Sequence, residues 1–112
     1  MDKTGFKQRV HDWAAKLDVE VQALAVRPMK NKWASCSTNG CLNFNAELLE
    51  LNEDLADYVI VHELLHFYVP NHGKLWKSLM MVHLGDYQKK HEELQRIAGD
   101  RDHKNSLQMN TL

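Results

Sequence analysis

Apolar residues recur at helical spacing near the amino terminus. Phe6, Val10, Trp13, Ala14 and Leu17 form one stripe, with Thr4 placed to cap the helix that carries it. The next segment, VEVQALAV from Val19 to Val26, is β-branched and partly alternating and stops at Arg27-Pro28, the pattern of a strand. In MKNKWASCSTNGCLNFN, an Asn39-Gly40 pair stands between two short strand-like runs. Both residues tolerate positive φ, so a hairpin is predicted there. AELLEL (Ala46 to Leu51) is a short apolar connection, and Asn52 followed by Glu53 and Asp54 reads as a helix cap with acids in the first turn. The helix should run from about Glu53 to Tyr68. Its apolar residues Leu55, Ala56, Tyr58, Val59, Ile60, Val61, Leu64, Leu65 and Phe67 cover almost every face, which marks a central buried helix. Two more helices are expected, from about Lys74 to His83 and from Tyr87 to Ala98, the second capped by Asp86 after Gly85.

These elements predict an α+β fold: an N-terminal helix, a small mostly antiparallel sheet holding the hairpin, the buried helix, and C-terminal helices. Residues 1–98 are expected to form one domain and residues 99–112 a polar, frayed tail. At 112 residues, 44% hydrophobic and 26% charged, the chain is ordinary for one globular domain. A formal charge of −1 gives no basic footprint for nucleic acid. The start, MDKTGFKQRV, lacks the apolar core of a signal peptide, and no run approaches the roughly 18 apolar residues of a membrane span. A cytoplasmic protein is expected. Cys36 and Cys41 are too few for a disulfide framework or a four-thiolate zinc site, and read as two free thiols on the hairpin.

The buried helix carries residues that an apolar segment does not need. VIVHELLHFYVPNHGKLW, Val59 to Trp76, contains His62, Glu63, His66 and His72. His62 and His66 are i and i+4, about 5–6 Å apart on one face, a span over which two imidazoles can share one small cation. Glu63 lies about 100° further round, beside such a cation without pointing at it, as a general base would. Pro70 disfavours helix at Val69, and a turn through Asn71 is expected to bring His72 back over the histidine face. Three histidines with an open fourth position make a catalytic rather than a structural zinc site. Satisfied core histidines are the alternative, but buried ionisable groups are costly unless paired or metal-bound.

Several separated motifs give the chain a family likeness. RPMKNKWASCS, LNFN, ADYVIVHELLHFYVPNHGKLW and GDYQKKHEEL together resemble, in order and spacing from about Arg27 to Leu94, the YgjP-like metallopeptidases of the zincin clan, which are related to the SprT-like proteins. Ala34 stands where that family usually has glycine, and Gly85 where it usually has proline. The resemblance implies a minimal zincin-like fold, one zinc ion per chain on His62, His66 and His72, and Glu63 as catalytic acid/base. HGKLWK is similar to the SprT-like pattern, whose histidine at that place is a zinc ligand. Metzincins share the histidine spacing but have glycine where Val69 stands, and the chain is too short for their second subdomain; Met80 and Met81 are therefore assigned to the core. The ribosomal-RNA maturation endoribonucleases share the spacing but lack the glutamate after the first histidine.

The expected activity is zinc-dependent hydrolysis of peptide bonds in an extended peptide or protein substrate, with neither a membrane nor a nucleic acid as partner. A non-catalytic metal-binding interaction module, or a zinc hydrolase with an RNA- or DNA-associated substrate, are the alternatives. Tyr68, His83 and Tyr87 are possible donors to a transition-state oxyanion. Glu92 and Glu93 are rival third ligands, because gluzincins use a glutamate on a downstream helix. Trp33 and Trp76 are assigned to packing, and Arg27, Lys30 and Lys32 to solvent.

Overall fold

The computed structural model describes residues 1–37, 39–69 and 73–100. Within them the elements run α1 (Lys3–Leu17), β1 (Ala23–Arg27), β2 (Ala34–Cys36), β3 (Cys41–Asn45), a 3-10 turn (Ala46–Glu50), α2 (Glu53–Leu65), α3 (Lys74–Leu84) and α4 (Tyr87–Asp100). The expected order of elements is therefore present, with shifted ends. Asp2, rather than Thr4, caps α1, its carboxylate accepting from the Gly5 N–H at 2.7 Å. The first strand begins four residues later than its β-branched run, because Asp18 leaves α1 in a left-handed conformation (φ 56°) and the chain must first cross to the sheet. Asn52 caps α2 as expected, its side-chain oxygen accepting from the Leu55 N–H at 2.9 Å. That helix stops at Leu65, three residues short of expectation. The Phe67 and Tyr68 N–H groups bond only three residues back, to Leu64 and Leu65, so the last turn tightens before the chain departs. α4 reaches Asp100 and takes in the first two residues assigned to a tail; residues 101–112 lie outside the described residues.

The sheet has the order β1-β3-β2 and is mixed rather than mostly antiparallel. β2 and β3 form the expected antiparallel hairpin, with Cys36 opposite Leu42, whereas β1 runs parallel to β3, with Ala23 opposite Cys41. Because β1 passes its chain to the far side of β3 before the hairpin turns, the central strand returns alongside β1. Gly40 makes this join possible. Its φ of +88° is left-handed, and a Cβ there would stand 2.9 Å from the Gln22 side chain. Its carbonyl accepts the Gln22 N–H at 2.9 Å, tying the hairpin tip to the foot of β1.

α2 lies in the middle of the molecule, and every residue from Tyr58 to Leu65 is buried. Its helical partners are α1, α3 and α4, and β2 of the sheet also packs on it. The buried stripe of α1 is Phe6, Val10, Ala14 and Leu17, and Phe6 meets Phe44 of β3 edge to face at 5.2 Å. Among the described residues, no helix is long and apolar enough to cross a membrane.

A polar clamp fixes the rotation of α2 against α1. Asp57 takes two bonds from Arg9, Nε at 2.5 Å and Nη2 at 2.9 Å, and a third from Trp13 Nε1 at 2.9 Å, while Arg9 Nη1 also reaches Glu53 at 2.9 Å. The Asp57 side chain is only 13% exposed and that of Glu53 is 66% exposed. Asp57→Ala is expected to lower stability by about 2 kcal/mol, since it strands a partly buried guanidinium and an indole N–H. Glu53→Ala should cost less than about 1 kcal/mol, because its pair with Arg9 is solvated. Urea denaturation of both variants tests the difference, and equal midpoints would remove the clamp from the account.

Candidate active site

Isolated imidazoles and carboxylates avoid dry interiors because water solvates them better. α2 nevertheless buries His62 and Glu63 completely, at 0% exposure each. The helical period brings them together with His66. The ligand atoms of His62, Glu63 and His66 all lie within 4.8 Å of one another, and this group includes no residue of α4. The two imidazole rings meet edge to face with centroids 5.1 Å apart. Glu63 Oε1 stands 3.8 Å from His62 Nδ1.

The electrostatics of Glu63 and His66 suit a site that holds a cation. Neither oxygen of Glu63 has a hydrogen-bond partner among the described residues. Burial pushes its carboxyl up to about 8, with the nearby Lys32 ammonium opposing the rise. Burial holds His66 below the usual imidazole range, partly offset by a hydrogen bond with the Val69 backbone. A neutral imidazole keeps a lone pair for a metal. A positive ion beside Glu63 would supply the charge that its ionised form lacks, so this donor set fits a metal.

Aromatic rings hold His62 in place. Trp76 of α3 packs against it at 5.2 Å and Tyr58, one turn earlier on α2, at 5.8 Å. Trp76 is thus buried, as expected of a packing residue, yet what it packs against is a site residue. The Tyr58 hydroxyl shares a hydrogen bond of 2.8 Å with His91 Nδ1, and the other ring nitrogen of His91 stands 2.9 Å from Gln95 Nε2. Tyr58 and His91 are missing from the sequence reading of the site. Tyr58 was legible as the i−4 neighbour of His62 on the same helical face, whereas His91 arrives from α4 by tertiary packing alone.

Other expected residues are dispersed. The Tyr68 hydroxyl bonds to the Leu17 and Asp18 carbonyls at the end of α1, and His83 packs edge to face on Trp13 at 6.3 Å. Both face α1. Tyr87, the third oxyanion candidate, lines a cavity together with His62. Glu92 and Glu93 lie on the exposed face of α4, Glu93 within 3.5 Å of Arg96. Trp33 is buried. Lys30 is exposed, and Arg27 is exposed with its Nε 3.3 Å from Asn43 Oδ1. Lys32 is exposed too, but its charge acts on Glu63. His72, with Pro70 and Asn71, lies outside the described residues.

Comparison with known proteins decides the family. Residues 2–97 match the sequence profile of the YgjP-like metallopeptidase domain. The chain belongs to the YgjP-like metallopeptidase family. Membership implies a metal cofactor and a peptide or protein substrate. No curated protein matches the chain. Among solved structures, the YgjP-like fold is similar to the metallopeptidase zymogen of jannalysin from Methanocaldococcus jannaschii, with 29% identity, a TM-score of 0.71, and coverage of 84% of this chain and 95% of that one. It is similar in fold also to the metallopeptidase zymogen of abylysin from Pyrococcus abyssi, with 19% identity, a TM-score of 0.70, and coverage of 96% and 99%. The small α+β architecture is thus that of zincin-like metallopeptidases.

The two thiols flank rather than join the site of this YgjP-like domain. Both are free. Cys36 pairs with Leu42 across the ladder, and Cys41, the residue before Leu42, points to the opposite face of the sheet. Burial, then the charge of Glu63 and then Cys41, pushes the Cys36 thiol up to about 11. In the metal-free protein at pH 8, Cys36 should alkylate on the order of a hundredfold more slowly than free cysteine, because only the thiolate reacts. Peptide-resolved alkylation rates test this, and a rate matching free cysteine contradicts the placement.

Proposed function

We propose that residues 1–98 form a zinc-dependent peptidase in which His62, His66 and His72 hold one zinc ion and Glu63 is the general base. The observation that carries this reading is the completely buried Glu63 carboxyl, lacking a hydrogen-bond partner among the described residues and 3.8 Å from His62 Nδ1. A carboxyl so placed is a burden to folding unless a cation and a water complete its surroundings. The exposure of Glu92 and Glu93 favours His72 as third ligand, a choice the sequence spacing of His72 after His66 and Pro70 also supports.

A zinc ion there would polarise the substrate carbonyl and lower the pKa of its water towards about 7. Glu63 takes the proton from the attacking water and delivers it to the leaving amine. The ring of His62, wedged between Tyr58, His66 and Trp76, keeps its orientation through the cycle. Tyr87, which lines a cavity with His62, is the oxyanion candidate.

The sheet offers a track for an extended substrate. Asn45 N–H donates to Trp33 O at 2.8 Å and Ser37 N–H to Cys41 O at 3.0 Å, so residues 33, 35 and 37 face β3. Ala34 and Cys36 therefore turn their main-chain groups away from β3; Ala34 is buried there and Cys36 is partly exposed. β2 is the edge strand and packs on α2, where a peptide could add as a strand. Incubating the zinc-loaded protein with a peptide library should give cleavage that chelation stops and added zinc restores. Cleavage indifferent to chelation would contradict the reading.

A further inference from the structure

We propose that the cavity beside His62, walled by α3 and α4, receives a substrate side chain and selects a large neutral one, aromatic by preference, against lysine and arginine. The inference rests on the peptidase reading of the His62–His66 site and adds a substrate class to it.

The cavity measures about 180 Å³, room for a side chain rather than one water. Its floor is the nearly buried rings of Tyr58, His62, Trp76 and Tyr87, of which Trp76 and Tyr87 keep 5% and 7% exposure, with the half-buried His91 alongside. Trp76 and Tyr87 pack edge to face at 5.8 Å, and His91 stands edge to face with Tyr58 at 6.0 Å, which fixes the walls. The exposed parts of the Trp76 and Tyr87 rings, held rigid by their packing, favour contact with an aromatic guest. The rim is Lys77 of α3 and Gln88 of α4, both exposed. Among the described residues no carboxylate lines the cavity, and the one fixed charge on its lining is the Lys77 ammonium. Burial also keeps His91 below the usual imidazole range, the neighbouring Glu92 opposing. A lysine or arginine side chain would meet like charge with nothing to neutralise it.

Position ties the cavity to the chemistry. His62 belongs both to the metal-binding group and to the cavity lining. β2, the edge strand, packs on the same helix, and its Cys36 and the preceding Lys32 come within electrostatic reach of Glu63. A peptide lying along β2 and continuing over His62 thus brings its next large side chain to the mouth of this cavity.

The test uses the metal-free full chain and two blocked amino acids, N-acetylphenylalanine amide and N-acetyllysine amide, titrated while nuclear magnetic resonance follows the Trp76 indole N–H and the amides of residues 87–91. The phenylalanine derivative should shift these signals and the lysine derivative should not. Gln88→Trp, which fills the mouth from an exposed position, should abolish the shifts. Lys77→Glu should strengthen binding of the lysine derivative on the order of tenfold. Absent shifts, shifts that survive Gln88→Trp, or unchanged lysine binding in Lys77→Glu would each overturn the proposal. With zinc-loaded protein, library cleavage lacking a preference for large neutral residues beside the scissile bond also overturns it and leaves the peptidase reading standing. Intact amide binding without any cleavage counts against the peptidase reading alone.

Discussion

Glu63→Gln should retain the fold and the bound metal and lose peptide hydrolysis by a factor of at least about 10² to 10⁴. The site of Glu63 is fully buried, so a substitution there must match volume, and glutamine does. An amide cannot accept a proton from water at neutral pH, which removes the base and nothing else. In the metal-free protein the variant should be at least as stable as wild type, because the carboxyl it replaces has no hydrogen-bond partner among the described residues. Stability, metal content and turnover measured on one preparation separate these effects. Undiminished cleavage by the variant would remove Glu63 from the mechanism.

The second large effect concerns the metal itself. His62→Ala, His66→Ala and His72→Ala should each lose stoichiometric zinc and all measurable cleavage, since a three-ligand site retains little affinity with two. Glu92→Ala and Glu93→Ala should keep both, because these side chains are exposed on α4. Elemental analysis of the five variants, purified alike, decides between a histidine and a glutamate as third ligand. If His72→Ala keeps its zinc and a glutamate variant loses it, the assignment of His72 is wrong.

What sequence reasoning reached and what it missed divide along a physical line. α2 was legible because Asn52, Glu53 and Asp54 mark its start by local capping chemistry, and because a helix apolar on all sides can only be buried. The β2–β3 hairpin was legible from Asn39-Gly40, a local turn requirement that Gly40 meets with φ +88°. The parallel pairing of β1 with β3 was not, since nothing within a strand records which neighbour it will take. The cap of α1 moved from Thr4 to Asp2 because both offer an oxygen in the same stretch, and local sequence does not choose between them. His62, Glu63 and His66 converge through helical periodicity alone, so a pattern spanning five positions was enough to find them. The parts that depend on packing between α2, α3 and α4 escaped, namely the Trp76 contact with His62, the Tyr58–His91 hydrogen bond and the cavity they line. Tyr68 and His83 looked equivalent to Tyr87 in the sequence, and only the packing on α1 sets them apart.

The central claim is an open three-histidine zinc site, and X-ray absorption at the zinc edge of the loaded protein tests it most directly. The account predicts three imidazole nitrogens at about 2.0–2.1 Å with one further light-atom ligand. A sulfur shell at about 2.3 Å, or two imidazoles accompanied by protein carboxylates, would contradict it.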